Sequence, residues 1–200
     1  TLNPLLTIDD DSFLVANQIF SSLIDRGVAA NGSLTYRPDL AESWEISKDG
    51  LTYTFHLRKG VKWHDGKPFT SADVKFTYDL YLDPKIALPQ RAFYAAIGSI
   101  TTPDNNTVVL NLKEPSPILM SLGLAFWRNH MIIPKHLYQG TDVFTNPYNM
   151  KPIGTGPFKF VEWVKGDHIT LEKNRDYYIK GLPYLDKIIY KLTPSSASQM

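Results

Sequence analysis

The chain is 200 residues long, with 43% hydrophobic and 20% charged residues, a formal net charge of +1 and no cysteine. That composition belongs to an ordinary globular protein, long enough for one large domain or two small ones, and its charge gives no footprint for nucleic acid or an acidic partner. Without cysteine there is no disulfide, thiolate metal site or cysteine nucleophile, and no apolar run approaches the ~20 residues of a membrane helix.

In chain order, Asp11-Ser12 reads as the cap of a helix over residues 13 to about 25. Phe13, Val15-Ala16, Ile19-Phe20 and Leu23-Ile24 recur at helical spacing, with Arg26-Gly27 as the stop. The stretch before it reads as a loop. Its acidic run, Asp9-Asp10-Asp11, favours a helix start and lacks the spacing and glycine of a calcium loop. Asn31-Gly32 marks a turn between two short extended pieces; Asn31-Gly32-Ser33 also fits a glycosylation sequon, a pattern that arises often by chance.

Residues 43–46 and 51–57 are β-prone and joined by Ser47-Lys48-Asp49-Gly50, whose Asp-Gly pair suits a tight hairpin. Leu51, Tyr53, Phe55 and Leu57 alternate with polar neighbours, so one face is expected to be buried. A second turn, His64 to Pro68, leads to Thr70, the expected cap of a helix over 71–82 with Asp73 at its positive end. Asp83-Pro84 ends that helix, and Pro89 begins another helical stretch containing Phe93-Tyr94 and Ile97. Residues 100–102 and 108–112, around a turn at 103–106, predict a second hairpin. Pro115 and Pro117 open a helix from 118 to about 124. Residues 145–152 read as an irregular crossing between domains. Residues 158–164 and 168–172 form a third hairpin around Lys165-Gly166-Asp167, and 187–193 alternates like a strand. Short antiparallel hairpins interleaved with helices predict a mixed α+β fold.

Catalytic motifs are lacking: there is no G-x-S-x-G elbow, no H-E-x-x-H and no phosphate-binding glycine loop. None of the five histidines pairs with another at i, i+4. His64-Asp65 sits in a turn whose Asp-Gly is explained by backbone geometry. Gly154-Thr155-Gly156 is followed by Pro157, which removes an N–H an anion would want; it reads as a tight chain crossing. Trp127-Arg128-Asn129-His130 gathers hydrogen-bonding and aromatic groups in a segment with no amphipathic pattern, a combination suited to peptide or sugar ligands. No catalytic residue, metal ligand or cofactor is assigned.

Two ordered blocks of residues stand out. The first holds Pro38, Leu40-Ala41, Ser43-Trp44, Asp49-Gly50, Tyr53 to Arg58, Gly60 to Trp63, His64-Asp65-Gly66 and Ala72-Asp73-Val74. The second holds Gly154 to Phe158, Trp163, Asn174, Tyr177-Tyr178, Gly181, Pro183 and Leu185-Asp186, with Ile133 to His136 between the blocks. Together they resemble the extracytoplasmic solute-binding proteins of ABC importers, family 5, the oligopeptide, dipeptide and nickel-binding type. Thr1-Leu2-Asn3-Pro4 is similar to a step that follows the first strand of such proteins, and members run to well over twice this length. The chain is therefore expected to be an N-terminal piece.

The resemblance implies a class II periplasmic-binding-protein fold: part of lobe 1 with its inserted second subdomain, the opposite lobe missing. Residues 1–22 and 151–200 would form the first subdomain and 23–150 the inserted one. The implied function is the substrate-binding component of an ABC importer. It would capture a small peptide-like solute outside the cytoplasm, in the periplasm or as a cell-surface lipoprotein, and deliver it to the permease subunits. No nucleic acid is implied, and the membrane is met only through an anchor or the permease. An oligosaccharide, a metal chelate, or a sensing role in a regulator stay open. Matching order against the family motifs gives Thr7, Ile8, Asp9, Asp10, Phe93 and Tyr94 as expected ligand contacts; chemistry gives Trp127, Arg128 and Asn129.

Overall fold

The computed structural model describes residues 1–125 and 130–191. All sheet pairing among these residues is antiparallel, in sheets ordered β1-β2, β3-β4-β6-β5 and β7-β8-β9. The mixed α+β class is as expected.

The first helix, α1 (Asp10–Ile19), is capped by Asp9, whose carboxylate accepts the Ser12 N–H at 2.8 Å. It stops well short of residue 25. Phe20 is already extended, and the Ile19 carbonyl accepts the N–H of Gly156 at 2.8 Å. The apolar residues Leu23 and Ile24, which continue the helical spacing, are buried beside and in a strand instead. They lead into β1 (Ile24–Val28), which pairs with β2 (Leu34–Pro38). Gly27 is thus a strand residue, and Gly32, at φ +82°, supplies the left-handed turn between the two strands.

The hairpin of β3 (Ala41–Ile46) and β4 (Thr52–Leu57) forms in the expected place, with Trp44 opposite Phe55 and Gly50 at φ +70°. Tyr53, Phe55 and Leu57 are buried on one face. Two more strands, β5 (Ile97–Asp104) and β6 (Thr107–Leu112), complete this sheet, the latter adding Val108, Leu110 and Leu112 to the same core. The turn is only Asn105-Asn106, so β5 runs through Pro103, and Ile97 opens that strand and not a helix. Pro103 is tolerated there because β5 is an edge strand.

The helix α2 (Ser71–Leu82) lies against β5 and β6. Its first turn closes as the sequence implies: the Asp73 carboxylate accepts the Thr70 N–H at 2.9 Å and, with its other oxygen, the Lys135 N–H at 3.0 Å. Lys135 begins the short helix α3 (Lys135–Tyr138). After β6 the chain winds through a π-helical segment, Leu119–Leu124. Finally β7 (Phe158–Val164), β8 (His168–Lys173) and β9 (Lys187–Lys191) form the third sheet, which α1 packs against.

Candidate functional site

The chain crosses itself where Gly154-Thr155-Gly156 passes the end of α1. A Cβ on Gly154 would lie 1.9 Å from the Ile19 carbonyl oxygen, and one on Gly156 2.6 Å from the Ile19 carbonyl carbon. Only glycine fits so close an approach of two backbones. His64 fastens the crossing. Its N–H donates to the Gly154 carbonyl (2.9 Å), and its Nδ1 accepts the Gly154 N–H (3.2 Å). That leaves the ring proton on Nε2, which donates to the Gly156 carbonyl at 3.0 Å. Burial pushes the imidazole down to about 4, opposed by the Gly156 hydrogen bond, so His64 is neutral near pH 7. Both ring nitrogens are spoken for; the residue is a fastener, not an acid–base group.

The same crossing frames a polar cavity of about 300 Å³, lined by Asn17 and Phe20 near the end of α1, Ser21, Ser22, Asp25, Asp39, His130, Met131, Pro157 and Tyr177. Its polar wall is a cluster around Asp39. The Asp39 carboxylate accepts the Ser22 N–H (2.9 Å), and the Tyr178 hydroxyl bridges it to Ser21 Oγ (3.0 Å from the tyrosine). Arg58 lies 5.9 Å from the Tyr178 ring centre and donates from Nε to the Asp39 carbonyl at 2.6 Å. Burial raises the Asp39 pKa, against the hydrogen bonds from Tyr178 and Ser22. His130, also in the lining, is 5% exposed, and its Nδ1 is closed off with no hydrogen-bond partner. Burial, reinforced by the positive charge of Arg26, lowers its pKa to about 3, so it too is neutral.

The residues expected at the ligand fall into different environments. Ile8 is 74% exposed, and Asp9 and Asp10 are exposed at the start of α1. Thr7 is buried, its hydroxyl donating to the Asn3 carbonyl at 2.8 Å; it holds the loop's shape. Tyr94 belongs to the core: fully buried, it stacks on Tyr81 with ring centres 4.3 Å apart and tilts against Tyr78 at 5.4 Å. Burying a ring against two others stabilises more than exposing it to solvent, so the segment turns Tyr94 inward and leaves Phe93 partly exposed. Trp127, Arg128 and Asn129 lie outside the described residues.

The profile of bacterial extracellular solute-binding proteins, family 5 Middle, matches residues 35–200. The chain belongs to this family. Among its relatives, the oligopeptide-binding protein AppA of Bacillus subtilis is 36% identical, over 97% of this chain and 35% of its own length. The structure of AppA in complex with a nonapeptide superposes with a TM-score of 0.88 at 34% identity, covering 98% of this chain and 38% of AppA. NikZ of Campylobacter jejuni, solved with Ni(L-His), gives a TM-score of 0.83 at 35% identity, covering 99% of this chain and 38% of NikZ. The fold is therefore that of family 5 binding proteins, class II, and the chain spans little more than a third of their length.

Sequence reasoning passed over Asp39, Tyr178, Ser21 and Ser22 as site residues. Asp39 and Tyr178 stand within or beside the matching family blocks, but nothing local signals that residues 139 positions apart meet in a hydrogen bond. His130 was in view as the last of four polar groups; only its unpaired, buried nitrogen sets it apart.

Proposed function

We propose that this chain is part of the substrate-binding component of an ABC importer, which captures a peptide-like solute outside the cytoplasm and delivers it to a membrane permease. Its role is binding, not catalysis: His64, which precedes Asp65 in sequence, has both ring nitrogens engaged by backbone. The observation that carries the reading is the agreement with AppA, a TM-score of 0.88 to a structure holding a nonapeptide. Residues 1–22 and 151–200 would form one subdomain and 23–150 an inserted one. In support, the Gly156 N–H reaches the Ile19 carbonyl, and the Tyr190 hydroxyl reaches the Leu14 carbonyl at 3.4 Å.

Ile8, Asp9, Asp10 and Phe93 remain proposed solute contacts by their exposure, as do Trp127, Arg128 and Asn129 by their chemistry. A second reading, a metal chelate as solute, is favoured by the likeness to NikZ with Ni(L-His). Calorimetry of the natural gene product against alanine peptides of two to six residues, and against nickel–histidine, separates the two. Peptide binding alone supports the first reading; chelate binding without peptide binding replaces it with the second.

A further inference from the structure

The hairpin of β1 and β2 turns through Asn31-Gly32, the only Asn-Gly step in the chain. An asparagine modifies itself when the backbone nitrogen of the next residue attacks its side-chain amide carbon and closes a succinimide ring. A side chain on the attacking residue hinders that approach, and glycine has none. The surroundings of Gly32 are equally open. Nothing lies within 4 Å of its Cβ position, and Asn31, Gly32 and Ser33 are all exposed.

The turn adds what the sequence does not show. Asn31 Oδ1 accepts both the Ser33 N–H, at 3.0 Å, and the Ser33 hydroxyl, at 2.7 Å. Two donors on that oxygen draw charge from the amide carbon and stabilise the negative charge the oxygen takes up when a nucleophile adds. They also hold the amide against the Gly32 peptide, whose nitrogen is the nucleophile. The Gly32 N–H donates to the Ala29 carbonyl at 2.9 Å, a bond that has to open first. It closes an exposed turn on a two-stranded sheet, among the pairings that open at least cost. The contacts to Ser33 are local and survive that opening. Other asparagines lack the combination. Asn3 and Asn146 precede proline, which has no N–H. Asn105, in the β5–β6 turn, is followed by Asn106, whose side chain crowds the attack and whose N–H is held by the Asp104 carboxylate at 2.7 Å.

We propose that Asn31 is a site of spontaneous deamidation, with water as the co-reactant and the Ser33 hydroxyl as the activating group. Solvent hydroxide takes the Gly32 amide proton and the nitrogen adds to Asn31 Cγ. The Cγ–Nδ2 bond then breaks, and the leaving nitrogen takes a proton from water to depart as ammonia, which regenerates hydroxide. Water opens the succinimide at either carbonyl and leaves aspartate or isoaspartate at position 31. In isoaspartate the main chain runs through the former side chain and is one methylene longer. The turn then cannot keep both the Gly32 N–H bond to Ala29 and the Ala29 N–H bond to the Ser33 carbonyl, 2.9 Å in the unmodified chain.

The test incubates the full-length natural protein in mildly alkaline buffer made with 18O-water, returns it to ordinary water, and digests it for mass spectrometry. The peptide holding residue 31 is expected to gain 18O and to become a substrate for an isoaspartyl methyltransferase; the peptide holding Asn105 and Asn106 stays unlabelled. Asn31→Gln is expected to abolish the label there. Ser33→Ala keeps the backbone donor and loses the hydroxyl, and is expected to slow labelling by about threefold or more. Hydrogen exchange at the Gly32 amide reports how often the turn opens in each protein, so the slowing is read per opening. No label at residue 31, or equal label at Asn105, overturns the site. Labelling per opening that is unchanged in Ser33→Ala overturns the activating role of Ser33.

Discussion

Replacing Gly154 with alanine tests the chain crossing directly. The new Cβ would sit 1.9 Å from the Ile19 oxygen and 2.6 Å from the Ile19 carbon. That is well over ~1 Å inside the ordinary 3.5–4.0 Å contact distance, and both obstacles are backbone, which cannot rotate away. The crossing must open. Opening it loses the Gly156 N–H to Ile19 bond and the two bonds joining His64 to Gly154. At a net ~1 kcal/mol per hydrogen bond, with about 1–3 kcal/mol for overpacking, Gly154→Ala should cost about 4–6 kcal/mol. For a chain of this length that lowers Tm by roughly 10 °C or more. Gly140→Ala is the control: Gly140 has φ +76° with nothing within 4 Å of its Cβ position, so only backbone strain of about 1–2 kcal/mol is added. Urea and thermal unfolding followed by circular dichroism measure both. If Gly154→Ala is no more damaging than Gly140→Ala, the two chains do not cross as tightly as described, and the role given to the glycines is wrong.

Three further outcomes are expected. His64 and His130 are held neutral with pKa values of about 4 and about 3, below the ordinary 6.5. The unfolded chain therefore binds protons between pH 6.5 and 4 that the native protein refuses. The stability they contribute is full above pH 6.5 and falls as pH drops toward 4, by roughly 3 kcal/mol for His64 alone; an NMR titration showing either ring protonating near 6.5 would contradict this. Asp73→Ala removes the acceptor for both the Thr70 and Lys135 N–H groups and should cost about 2–3 kcal/mol in urea unfolding; a loss below ~0.5 kcal/mol would show that water replaces both bonds. Tyr178→Phe takes a donor from the half-buried Asp39 carboxylate, and should cost about 1–3 kcal/mol and raise the Asp39 pKa further, read by carboxyl 13C shifts. An unshifted Asp39 would mean that Ser22 alone satisfies it.

What the sequence determined by itself is what depends on near neighbours. The alternation of Tyr53, Phe55 and Leu57 made a strand with one buried face, Asp49-Gly50 made its turn, and Thr70 with Asp73 closed the first turn of α2, each within a few residues of chain. Gly154 and Gly156 beside Pro157 were legible as a crossing because few other roles suit that run. The family motifs lie in these same segments, so family and fold were readable too. What only the tertiary structure decided involves distant partners. The apolar spacing of α1 continues to Ile24, yet the helix stops at Ile19 because a backbone 137 positions away takes the Ile19 carbonyl. Tyr94 has the composition of a ligand contact and becomes core because Tyr78 and Tyr81 stand against it. Asp39 and His130 are unremarkable in sequence, and the cavity they line exists only once α1, β1 and the Pro157 crossing are brought together. Local pattern sets which way a side chain can point along its own element; which atoms it meets there is set by the free energy of packing the whole chain.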